Sequence, residues 1–84
     1  MIPALINDNY SDEALYLLAK CYLENKDYTS AVKVLKKAIS IENGVEEYFH
    51  ALGKAYHHLN EIDKAVEEYL KEILICIFMQ VLVN

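Results

Sequence analysis

The chain has 84 residues, 55% of them apolar, with two glycines, one proline and no tryptophan. A chain this short hides only about 60–65% of its unfolded surface, so it makes one small packed domain at most, and its composition excludes disordered and fibrous classes. Thirteen acidic against eight basic residues give a net charge of −5, which repels phosphate backbones and sets nucleic acid aside as a partner.

Residues 1–11 read as a lead-in. They have no basic start and no long apolar core, so no secretory leader is expected and a cytoplasmic or nuclear setting follows. Ser11 is placed to cap a first helix near 12–25, with Asp12 and Glu13 suiting its positive end. Leu15, Leu18, Ala19 and Tyr22 fall at i, i+3, i+4 and i+7, one apolar stripe at helical period. Asn25-Lys26-Asp27 breaks that run, and Asp27 can cap a second helix near 28–42, whose apolar face is Ala31, Val34, Leu35 and Ala38. Glu42-Asn43-Gly44 ends it, with Gly44 suited to a left-handed C-terminal position. A third helix near 45–59 carries Phe49, Leu52, Gly53 and Tyr56, and a fourth near 62–79 carries Ala65 and Tyr69.

The second pair of helices copies the first. Shifting the chain by 34 residues sets Leu18 on Leu52, Lys20 on Lys54, Tyr22 on Tyr56, Ala31 on Ala65 and Val32 on Val66. Lys37 on Lys71, Ile39 on Ile73 and Ile41 on Ile75 complete eight identities across the 28 positions from Ala14 to Ile41. Chance would give about two. The small residues Ala19, Gly53, Ala31 and Ala65 are expected where paired helices cross closely.

This pattern resembles the tetratricopeptide repeat family. The features carried over are a large residue, then Leu and a small residue, then Tyr in the first helix, with Ala, a large residue and Ala in the second. Here they are Leu15, Leu18-Ala19, Tyr22, Ala31, Leu35 and Ala38, then Phe49, Leu52-Gly53, Tyr56, Ala65 and Tyr69. The resemblance implies an all-α fold of antiparallel helix–turn–helix repeats in a right-handed superhelix, four helices in all. The first repeat would span 12–44 and the second 45–78. Glu72 departs from the pattern by standing where the first unit has Ala38, at the surface on which a next repeat would dock; a buried carboxylate there is costly. A narrower likeness, over Ser11 to Lys37, is to a repeat in scaffold subunits of the anaphase-promoting complex, which self-associate through N-terminal repeats.

From Ile73 onward ten of eleven residues are apolar, forming a helical extension over 73–84. Eleven helical residues span about 16 Å, half a bilayer core, so no membrane span is expected. With no charged face the run must be buried, and two repeats cannot surround it. Ile73, Ile75, Ile77, Phe78 and Leu82 are therefore expected to bury against a second copy in a dimer, or else against a further helix pair of a longer repeat protein.

The resemblance also implies a protein or peptide partner held in the concave groove lined by the first helix of each unit. Tyr16, Lys20, Glu24, His50, Lys54 and His57 face away from the packing stripe and are the candidate groove residues. Lys20 and Lys54 stand 34 apart on one wall, where two ammonium groups could meet a carboxylate. Tyr16 stands where the family's chaperone-tail clamp has a basic residue, so heat-shock chaperone tails are not expected ligands. His50 shares an i, i+4 spacing with Glu46, and His57 and His58 are adjacent, but a metal needs three or four converging ligands, so no metal or cofactor is expected. Cys21 and Cys76 read as reduced, buried fillers. With no nucleophile motif or phosphate loop, the chain is not expected to be an enzyme.

Overall fold

The structure is a computed structural model that describes residues 11–83. The lead-in over 1–10 lies outside the described residues. Four helices follow one another: α1 over Asp12–Glu24, α2 over Tyr28–Ile41, α3 over Glu46–His58 and α4 over Ile62–Val83. Among the described residues there is no strand, so the fold is all-α. α1 packs on α2, α2 on α3 and α3 on α4, giving two antiparallel hairpins stacked through α2 and α3.

The helix starts have the expected local causes. The Ser11 hydroxyl accepts from the Ala14 amide at 3.2 Å, and the Asp27 carboxylate accepts from the Ser30 amide at 3.3 Å. α3 starts after Val45 with no side-chain cap.

The helix ends differ from expectation. Gly44 does not adopt a left-handed conformation; Lys26 (φ 62°) and Asn60 (φ 66°) do, and they are equivalent residues of the two repeats. Each closes the same motif. The Asp27 amide reaches back to the Tyr22 carbonyl at 2.9 Å and the Lys26 amide to that of Leu23 at 3.0 Å, while Glu61 and Asn60 do likewise to Tyr56 and His57. Each hairpin thus turns through one left-handed residue, and the next helix begins two residues after it. α2 has no such turn, because Glu42 is already extended (φ −140°) and leads straight into α3.

The core lies where the small residues were expected. Leu15, Ala19, Ala31, Leu35, Ala38 and Ala55 are fully enclosed, with Leu52, Tyr48 and Tyr56 packed among them. A methyl group built on Gly53 would stand 2.7 Å from the Tyr69 ring, so the ring occupies the space that a side chain would need. In the first repeat the same two positions hold Ala19 and Leu35. One step smaller on α3 is matched by one step larger on α4.

Two expectations are corrected. Cys21 is exposed, although its repeat equivalent Ala55 is fully buried. The reason is the stack: α3 has α2 behind it, while among the described residues no helix lies behind α1. Cys76 is also exposed. The fourth helix, in turn, does not stop near 79, because α4 runs on unbroken to Val83, 22 residues.

Candidate functional site

α1 and α3 line an open groove of about 430 Å3. α1 contributes Tyr16, Lys20, Leu23 and Glu24, spaced by whole helical turns so that they share one face. α3 contributes Glu46, Glu47, His50, Ala51 and Lys54, and α4 reaches in with Glu72.

Contacts beneath the groove hold its walls. The Tyr48 hydroxyl of α3 donates to Asp12 Oδ2 in the first turn of α1, at 2.5 Å. Burial, then the hydrogen bond to Asp12 and its charge, hold the Tyr48 hydroxyl well above the ordinary phenol range, so it remains a donor. Its ring lies 5.0 Å from the Tyr16 ring, and the Lys20 ammonium sits 5.6 Å over Tyr16. At the far end His50 Nδ1 meets Glu72 Oε1 at 3.0 Å, with the His50 ring tilted 5.7 Å from that of Tyr69. Burial, and secondarily the Glu72 charge, raise the Tyr69 hydroxyl above its usual value.

The groove therefore offers two ammonium groups, four carboxylates and the apolar patches of Leu23 and Ala51. Such a surface can grip a polypeptide segment by side-chain ion pairs. Among the described residues no three of His, Cys, Asp or Glu converge as a metal site would require.

Five of the six groove residues named from the sequence, Tyr16, Lys20, Glu24, His50 and Lys54, come together here. His57 does not line the groove. Its ring lies 6.0 Å from that of His58, which itself stacks on Tyr28 at 4.5 Å. Sequence reasoning missed Glu46 and Glu72 as groove residues. Glu46 was within reach, one turn before His50 on the same helix, but nothing in the sequence pairs Glu72 with His50 across two helices.

The tail residues fall on two different faces of α4. Ile62, Val66, Leu70, Ile73, Ile77 and Val81 share one sector of the helix about 100° wide, and their exposures run from 46% to 65%. Ile75, Phe78 and Leu82 turn the other way. Together with Leu74 and Met79 they line an apolar depression of about 500 Å3 against Gly44. Of the five residues expected in self-association, Ile75 is half-buried and the other four are exposed.

The family comparison agrees with this architecture. Residues 3–72 match the model of the family described as anaphase-promoting complex, cyclosome, subunit 3. The chain belongs to that family. No curated protein matches it. The match spans both hairpins, wider than the likeness over Ser11 to Lys37, and it makes the chain a tetratricopeptide-type repeat protein. It stops at Glu72, eleven residues before the end of α4. Although α4 is 22 residues long, no helix among the described residues is long and apolar enough to cross a membrane.

Proposed function

We propose that this member of the subunit 3 family is a non-catalytic interaction scaffold that self-associates through α4 and holds a partner polypeptide in its groove. The observation that carries the reading is the apolar face of α4. A 22-residue helix that leaves Ile62, Val66, Leu70, Ile73, Ile77 and Val81 between 46% and 65% exposed is a surface built to be covered. Each such side chain contributes on the order of 1–2 kcal/mol when covered, which is decisive for a two-repeat domain. Glu68 and Glu72 replace Val34 and Ala38 of the first repeat, which disfavours an ordinary third repeat as the cover.

The groove supports the second half of the reading. Lys20 and Lys54 suit a carboxylate of the bound segment, while Glu24, Glu46, Glu47 and Glu72 suit basic or neutral residues around it. Peptides selected from a random display library on the intact protein test this directly. Their binding should be lost in Lys20→Glu with Lys54→Glu, while helicity and molar mass stay unchanged. Equal binding by that variant would contradict the groove assignment.

A second reading draws on the family description: the chain is an assembly element of a multi-subunit complex, with no peptide ligand of its own. It predicts that no groove-dependent peptide is recovered, while association through α4 persists.

A further inference from the structure

We infer that the lead-in, residues 1–10, docks on the open face of α1, in the place that the end of α2 holds beside α3, so that the chain closes one end of its own stack.

The repeat defines that face. Tyr48, Ala51, Leu52 and Ala55 of α3 are all buried, from 0% to 6% exposed, and α2 packs on that helix. Their equivalents 34 residues earlier are Ala14, Leu17, Leu18 and Cys21, at i, i+3, i+4 and i+7 on one side of α1. There Ala14 and Cys21 are exposed, Leu18 is half-buried and Leu17 is 61% exposed. Outside α4, Leu17 is the most exposed large apolar side chain among the described residues. The face is therefore apolar, shaped like its covered copy, and bare.

The same register runs back through the lead-in. A shift of 34 sets Met1 on Leu35, Ala4 on Ala38, Leu5 on Ile39, Asp8 on Glu42 and Asn9 on Asn43. In α2, Leu35 and Ala38 are fully enclosed, and Ile39 packs half-buried against the same core. Met1, Ala4 and Leu5 thus repeat, at i, i+3 and i+4, the apolar edge that α2 turns inward. Ala4 is small, as a close helix crossing requires. The junction agrees as well. The chain enters α1 through extended Ser11 (φ −70°, ψ 160°), as it enters α3 through extended Val45 (φ −99°, ψ 110°). With residues 8–11 as the link, residues 1–7 match the last two turns of α2, Leu35 to Ile41. Pro3 falls in the first turn, where a missing N–H leaves no helical bond unmade. Seven residues do not hold a helix alone in water, and the apolar face of α1 supplies the packing they need.

Ile2 and Ile6 fix the rotation. They stand where α2 exposes Lys36 and Ser40. The docked lead-in therefore turns Ala4 and Leu5 toward α1 and leaves Ile2 and Ile6 outside.

The two cysteines report the outcome without added probes, because Cys21 lies on the face to be covered and Cys76 lies on α4. Iodoacetamide alkylation of the full chain, resolved by peptide mass spectrometry, should modify Cys21 at least about tenfold more slowly than in the urea-unfolded chain. Leu5→Asp sets a carboxylate against Leu17 and should bring Cys21 to within about threefold of the unfolded rate, with helicity retained. Ile6→Asp should leave Cys21 protected. A wild-type Cys21 that already reacts within about threefold of the unfolded rate overturns the docking, and this comparison needs no variant. Equal deprotection by Leu5→Asp and Ile6→Asp overturns the register. Deprotection of Cys76 in place of Cys21 would put the lead-in on α4 and overturn the assignment to α1.

Discussion

Gly53 is the residue where the two repeats differ most informatively. The Tyr69 ring fills the space over it, so Gly53→Ala forces the ring aside, and a clash of this kind costs about 1–3 kcal/mol. That outweighs the gain of about 1 kcal/mol in helix propensity. Urea denaturation should show Gly53→Ala destabilised and Gly53→Ala with Tyr69→Leu recovered, since the double variant recreates the Ala19 and Leu35 pair of the first repeat. Lys26 is the converse case. It holds a left-handed conformation that costs most residues with a Cβ roughly 1 kcal/mol, whereas its equivalent Asn60 tolerates it. Lys26→Asn should therefore raise the denaturation midpoint, with a gain of about 0.5–1 kcal/mol; an unchanged or lower midpoint would contradict the turn assignment. These two positions also mark what the sequence did and did not disclose. Capping by Ser11 and Asp27 was legible because hydroxyl and carboxylate before an apolar stripe have few other uses. The left-handed turn was not, because Lys26 lacks the glycine that announces one and Gly44 carried the signal falsely.

At the scale of elements, the apolar periods placed four helices, and the 34-residue repeat placed their packing. The small residues then located the crossings. Cys21 escaped because a residue's burial depends on which helix lies behind it, and that is a property of the stack. The groove was legible from α1 and α3, whose faces follow from spacing, but the reach of Glu72 from α4 depends on how two helices cross. The tie between α1 and α3 through Tyr48 and Asp12 was equally hidden, and it makes stability depend on pH. Tyr48 ionises near 10 in the unfolded chain and well above that when folded, so the unfolded state releases its proton first. The stabilisation is complete below pH 10 and declines as pH rises beyond it. Tyr48→Phe should cost about 1 kcal/mol at pH 7 through the lost hydrogen bond. Its urea midpoint should also fall less steeply than wild type between pH 9 and 11, with Tyr69 supplying the slope that remains. Identical slopes would remove Tyr48 from the account.

On the scale of the whole molecule, two repeats form a continuous core and still leave one long helix half dressed. The first half of α4 is amphipathic and belongs to the second repeat. Its second half carries the same outward stripe onward past the end of α3, with nothing among the described residues to cover it. The sequence disclosed the oily run but not its division, because only the rotation of α4 against α3 separates the stripe of Ile73 and Ile77 from the depression of Phe78 and Leu82 beside Gly44. The most direct test is the molar mass of the intact chain by light scattering across a dilution series from about 100 µM down to 1 µM. We expect twice the chain mass of 9.7 kDa at the concentrated end, falling toward the single-chain value on dilution. A mass of 9.7 kDa at every concentration would contradict the account at its centre.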